Sequence, residues 1–186
     1  SGSSGGGKIK IGIKFDQPGL GLKQPDGSYA GFDVDVATYV AKQLGYNANQ
    51  IEWVETKSAD RENALARGDV KIIAATYSIN DERKKVVDFS IPYFGSDIGV
   101  LARADSPVDE KSIKEKTVGV QQATTGAAFV MDVLKIPKDK TQVYPEQGDM
   151  FTALAAGQID AAVTDTSIVL AEEVKTAGKH VVVGQY

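Results

Sequence analysis

The stretch ATYSINDERKKVVDFSIPYF, residues 75–94, places two hydroxyl side chains, Thr76 and Ser78, shortly before Arg83. Thr76 and Ser78 alternate with Tyr77, so both can share one side of an extended segment. Asn80 is a favourable helix N-cap, and Asp81 and Glu82 follow it, which predicts a helix whose free N–H groups point back toward the hydroxyls. Such a terminus favours an anion, and Arg83 at the third helical position could reach the same anion with its planar fork. Arg83 reads equally well as one of the solvated charges of DERKK. Thr124 and Thr125, ahead of GAAFVMDVL, form a second candidate cap and anion site, with plain capping as the alternative. Asp165 closes an apolar run and opens a helix, so it is either a cap or a counter-charge for a cation. Asp16, Gln121, Gln122 and Thr164 also leave the ends of predicted strands. Hydroxyls, one guanidinium and two carboxylates together complement a zwitterion.

The same inventory is poor in catalytic groups. With no cysteine and a single histidine, the chain offers no thiolate site and no imidazole pair for a metal. His180 reads as a partly exposed residue near the end of the chain. Ser78 and Ser167 lack a histidine base, and GLGL (19–22 without its lysine ending) is not a phosphate loop. Neither a catalytic residue, nor a metal ligand, nor a cofactor is therefore expected. A formal net charge of -4 gives no broad positive field for nucleic acid. No apolar run approaches the roughly 20 residues needed to span a bilayer. The opening SGSSGGG reads as a linker or tag, residues 1–7, and no export signal stands there.

The elements that must position these residues alternate strand and helix, the pattern of an α/β fold. KIKIGIKF is a strand that runs into the turn-rich DQPGLG, and QPDGSYAGF carries the Pro-Asp-Gly signature of a tight turn. Phe32, Val36, Tyr39, Val40 and Leu44 recur at helical spacing, with Gly45 as the stop. IEWVET, the helix SADRENALARG and the apolar KIIAAT follow, the last predicted as a strand buried on both faces of a parallel sheet. A second unit repeats the scheme: strand TVGVQ, helix TTGAAFVMDVLK, strand TQVYP, helix EQGDMFTALAAGQ, strand IDAAVTD, helix TSIVLAEEVKTAG and strand HVVVGQY. The expected boundaries are 8–96 for the first lobe, 97–103 for a hinge crossover, 104–181 for the second lobe and 182–186 for a returning hinge strand.

GFDVDVATYVAKQLG, ATYSINDERKKVVDFSIPYF, VGVQQATTG and AAGQIDAAVTD resemble, in order, the motifs of the family 3 solute-binding proteins, the extracytoplasmic amino-acid receptors of bacterial ABC importers. IGIKFDQPGLGLKQPDG with SADREN is most similar to the glutamate/aspartate-binding branch. The resemblance implies a two-lobed, periplasmic-binding-protein-like clamshell of type II that holds glutamate or aspartate and hands it to a membrane ABC permease. It implies a periplasmic or cell-surface setting, lipid-anchored in the natural precursor. By motif, Arg83 would pair with the ligand α-carboxylate, helped by Ser78 and by Thr124 or Thr125. Asp165 would balance the α-ammonium, with Thr76 accepting a further hydrogen bond. Arg61 would reach the side-chain carboxylate with Lys14 as a helper, and Asp16 and Gln121 would line the cleft.

The sequence departs from the family pattern in three places. Gly19, Leu20 and Gly21 stand where many members carry an aromatic residue, which favours a small acidic ligand. Lys71 replaces the aspartate of the usual Gly-x-x-Asp, seen in the second lobe as Gly157-Gln-Ile-Asp160. Members also usually return to the first lobe after the equivalent of VVVGQY, so the first lobe is expected to be incomplete at the C-terminus. An engineered or truncated scaffold or sensor piece, and a dehydratase-type enzyme on the same fold, are the alternative readings.

Overall fold

The computed structural model describes residues 7–186, so the expected linker lies outside the described residues except for Gly7. The chain divides into two compact units, one ending at Pro92 and the other running from Tyr93 to Tyr186.

In the first unit, β1 (Ile9–Ile13) ends in a small antiparallel ribbon of β2 (Asp16–Gln17), β3 (Gly21–Lys23) and β4 (Tyr29–Ala30). Helix α1 (Phe32–Gln43), strand β5 (Ile51–Glu55), helix α2 (Arg61–Arg67), strand β6 (Ile72–Ala74) and the short helix α3 (Asp81–Lys84) follow. The parallel sheet has the order β5-β1-β6, so β1 is its centre. Ile9, Ile11 and Ile13 of β1 pack with Val34, Ala37 and Ala41 of α1 and with Ala74 of β6. Gly31 makes this possible. It adopts φ 125°, and a β-carbon there would sit 2.3 Å from the Leu20 carbonyl oxygen, so only glycine lets the ribbon lie against the start of α1.

Helix α1 covers the span that the helical spacing predicts, yet Phe32, Tyr39 and Leu44 are 41%, 64% and 59% exposed. It turns Ala37 and Ala41 inward instead, because small side chains let a helix lie close on a sheet whose own residues are bulky isoleucines. Among the described residues strand β6 is an edge of the sheet, and Ile72 and Ile73 are half-buried rather than buried on both faces as expected.

In the second unit, β7 (Ile98–Arg103) is followed by β8 (Val118–Gln121) and by α4 (Thr125–Ala128), which continues as a π-type turn over Phe129–Val133. Strand β9 (Thr141–Tyr144), helix α5 (Gln147–Ala155), strand β10 (Ala161–Asp165), helix α6 (Thr166–Lys175) and strand β11 (His180–Gln185) complete it. The sheet order is β11-β7-β10-β8-β9, with β10, β8 and β9 parallel and β7 antiparallel to both of its neighbours. Val100, Val118, Val120, Val130, Ala161 and Val163 form its core. Arg103 stitches the far end: its Nη1 donates to the carbonyls of Leu154 and Ile159, both at 2.7 Å, and its Nη2 lies 3.5 Å from Asp160.

Most of the segment expected as a hinge crossover, 97–103, and of the returning hinge strand, 182–186, pair as β7 and β11 within the second unit, which begins at Tyr93. Ile98 and Tyr186 exchange two backbone hydrogen bonds of 2.9 Å, which draws both segments into one sheet. His180 is also unlike its expectation. It is 5% exposed, its Nδ1 has no hydrogen-bond partner among the described residues, and burial lowers its pKa below the usual imidazole value.

Candidate functional site

The polar residues of the first unit collect at the carboxyl end of its parallel strands. The chain leaves β6 at Ala74 and bends at Thr76, whose φ of 49° lies in the left-handed region. A β-branched residue rarely adopts this conformation, and it persists only where its surroundings over-determine it. They do so here. Asp33 Oδ2 accepts from the Thr76 N–H at 2.9 Å and lies 3.4 Å from its hydroxyl, which also donates to Gln17 Oε1. Thr76 and Ser78 therefore do not lie on one extended segment as the alternation predicts, because the bend intervenes.

Arg61 fastens the same bend from the other side. It is 3% exposed, and its Nη1 donates to the carbonyls of Ala75 at 2.9 Å and Thr76 at 3.3 Å. Its Nε donates to the Ser58 carbonyl at 3.1 Å, while Lys14, 2% exposed, donates from Nζ to the Ser58 hydroxyl at 2.6 Å. Two buried cations thus converge on one serine.

Asn80 caps α3 as the sequence predicts, its Oδ1 accepting from the Arg83 N–H at 2.8 Å. The helix is only four residues long, so its dipole is small, and the guanidinium carries most of the positive charge at this end. Arg83 is half-buried rather than a solvated charge. Its Nη1 donates to the Ser78 carbonyl at 2.9 Å, and its guanidinium carbon lies 4.3 Å from the centre of the Tyr77 ring. Arg61 lies 4.5 Å from the same ring. The Tyr77 hydroxyl donates to Glu62 Oε1 at 2.7 Å, and Phe89 stacks on the ring at 5.4 Å. Burial, then the hydrogen bond to Glu62, pushes the Tyr77 phenol up to about 12, against the opposing pull of the two arginines.

Lys14, Arg61, Thr76, Ser78 and Arg83 are thereby joined through Ser58, Tyr77 and backbone carbonyls. Asp16 stands in β2, half-buried, one residue before Gln17.

In the second unit the candidates gather where the parallel strands β8 and β10 end. Thr124 is the N-cap of α4, its Oγ1 accepting from the Ala127 N–H at 3.2 Å and donating to the Gln121 carbonyl at 2.7 Å. Its plain capping role is therefore realised. Gln121, 3% exposed, donates from its side chain to the Pro145 carbonyl at 3.3 Å. Thr125 opens the helix, half-buried, and Gly126 lets it approach β10: a β-carbon there would sit 2.8 Å from the Val163 carbonyl. Asp165 holds the N-cap position of α6 and is 7% exposed, yet its side chain makes no cap hydrogen bond. The capping alternative is not realised for it.

Sequence reading missed Asp33, Gln17, Ser58, Glu62 and Tyr77, which hold the candidates in place. Asp33 carried a signal, an acid at the start of a helix that faces apolar neighbours. Tyr77 carried none beyond its place between two hydroxyls. Among the described residues no group of three or more histidines, aspartates or glutamates could hold a metal, and no helix is long and apolar enough to cross a membrane.

The family described as bacterial extracellular solute-binding proteins, family 3, matches residues 9–147. The glutamate-binding protein of Corynebacterium efficiens is 40% identical over 173 residues, covering 87% of this chain and 57% of that protein. The glutamine-binding protein of Geobacillus stearothermophilus is 36% identical over 165 residues, covering 87% of this chain and 62% of that protein. The chain thus spans about three fifths of the length of these relatives. Among solved structures, a solute receptor for L-cysteine of Neisseria gonorrhoeae superposes with a TM-score of 0.88 at 28% identity, covering 96% of this chain and 72% of that one. An ancestral arginine-binding protein bound to glutamine superposes with a TM-score of 0.87 at 31% identity, covering 97% and 79%.

Proposed function

We propose, from the premise that this chain belongs to the bacterial extracellular solute-binding proteins of family 3, that it binds one amino acid through its zwitterionic head and prefers an acidic one, glutamate or aspartate. The family consists of binding proteins rather than enzymes, and its members are extracellular, periplasmic or at the cell surface. One observation carries the reading: Arg83 is half-buried and held at a strand end by the Ser78 carbonyl and the Tyr77 ring. A guanidinium constrained in this way is prepared for a carboxylate, because its fork need not be ordered when the anion arrives.

In this reading Arg83 and Ser78 take the α-carboxylate with Thr124 or Thr125, and Asp165 takes the α-ammonium with the hydroxyl oxygen of Thr76. Lys14 and Arg61 supply positive charge for a side-chain carboxylate, and Asp16 and Gln121 line the ligand's surroundings. Arg61 also serves three backbone carbonyls, and Lys14 donates to the Ser58 hydroxyl beside it as the helper. The acidic preference is supported by the 40% identical relative named for glutamate. Burying charges is costly unless each is paired, so two cations near the side chain disfavour a neutral ligand. Delivery to a membrane ABC permease is part of the proposal.

Titration calorimetry with glutamate, aspartate, glutamine, histidine, arginine and cysteine tests it. Glutamate or aspartate should bind tightest, and Arg83→Ala should abolish binding. A preference for glutamine or histidine would remove the acidic assignment, and normal binding by Arg83→Ala would remove the anion-binding role.

A further inference from the structure

We propose that Tyr77, tied to Glu62, is the positioning residue for the Arg83 guanidinium and couples it to Arg61 through one shared ring; this rests on the amino-acid-binding reading given above. A planar fork grips a carboxylate only when its rotation is fixed, and that takes two constraints. The Ser78 carbonyl at 2.9 Å from Nη1 is the first, and the Tyr77 ring 4.3 Å from the guanidinium carbon is the second. Together they set the plane of the fork and one of its edges.

The ring's attachments strengthen its hold. Glu62 accepts a hydrogen bond from the phenol at 2.7 Å, which pushes electron density into the ring and deepens its attraction for a cation. Phe89, stacked at 5.4 Å, keeps the ring from turning. Arg61 lies on the same ring at 4.5 Å and is anchored to the Ala75, Thr76 and Ser58 carbonyls, so the strained bend at Thr76 and the placement of Arg83 are mechanically one unit. The raised phenol pKa fits this arrangement, since the hydroxyl stays a donor to Glu62 throughout the physiological range. Among ring types at this position, tyrosine alone offers both the π face for the arginines and the hydroxyl for Glu62.

Three variants test the proposal: Tyr77→Leu removes ring and hydroxyl, Tyr77→Phe removes the hydroxyl alone, and Glu62→Gln removes the carboxylate charge. The first readout needs no ligand. The side-chain Nε–H and Hδ resonances of Arg83 in NMR spectra should be ring-current shifted in the unaltered chain, should keep most of that shift in Tyr77→Phe and should lose it in Tyr77→Leu. Unshifted Arg83 resonances in the unaltered chain, or the same shift in Tyr77→Leu, would overturn the positioning role. The second readout is glutamate affinity by calorimetry. Tyr77→Leu should weaken binding about tenfold or more, Tyr77→Phe and Glu62→Gln about threefold, and Tyr77→Leu should cost nothing further when added to Arg83→Lys. An equal loss in the Arg83→Lys background would show that the ring acts on the fold rather than through Arg83. If no amino acid binds the unaltered chain, the binding reading fails on that result, while the Arg83 resonances still decide what Tyr77 does. Thermal unfolding of each variant separates a loss of grip from a loss of folding.

Discussion

Single residues in this chain carry tensions that experiments can reach directly. His180 is enclosed in β11, its Nδ1 without a partner among the described residues, and burial holds its folded pKa below the reference value of 6.5, with Glu172 opposing and Arg103 reinforcing the shift. The unfolded chain therefore takes up a proton at higher pH than the native one. The contribution of the neutral ring is complete above pH 6.5 and is lost as the pH falls through the folded pKa. Thermal midpoints measured from pH 8 down to pH 5 should fall more steeply for the unaltered protein than for His180→Gln; parallel slopes would mean that the histidine is not the group responsible. Tyr77 shows the opposite sign. Its phenol is pushed up to about 12, so its favourable contribution is present below pH 10 and is lost only as the pH rises through 12. An ultraviolet titration should therefore lose its latest-ionising component in Tyr77→Phe, and an unchanged curve would place that component on another tyrosine.

At the scale of elements, what mattered was how closely backbones approach. Gly126 brings the start of α4 to within a β-carbon's clash of the Val163 carbonyl, and Gly31 does the same for α1 and Leu20. Gly31→Ala should destabilise the protein by about 2 kcal/mol or more, since it combines overpacking with a left-handed φ. Denaturant midpoints measure this directly, and a change below about 0.5 kcal/mol would show that the ribbon can move aside. The same distinction explains what was readable beforehand. Caps and turns are local, so Asn80 over α3 and Thr124 over α4 followed from residue types alone. Strand and helix order followed from periodicity. The buried face of α1 did not, because the spacing of Phe32, Tyr39 and Leu44 marks the helix while packing selects Ala37 and Ala41. Nor did the left-handed Thr76, which depends on Asp33, 43 residues away in sequence, or the Tyr77 stack, which needs α2 and α3 brought to one place.

For the molecule as a whole, the two units differ in how well their sheets are covered. Among the described residues, β1 is the one strand of the first parallel sheet with neighbours on both sides, whereas β7, β10 and β8 all have two in the second. Amide exchange should accordingly be slowest in those three strands and in β1, and faster in β5 and β6. Equal protection across both sheets would show that neighbours do not set the order of opening. Under the proposed function ligand linkage adds a second expectation: glutamate at about 100 times its dissociation constant should add about 2.7 kcal/mol of stability, visible as a raised thermal midpoint. The paired Ile98 and Tyr186 have a consequence for engineering. They place the first and last strands of the second sheet side by side, so residues 98–186 have the shape of a cassette. A host protein would need to open one surface loop by only about 5 Å, the spacing of two neighbouring strands, to receive it.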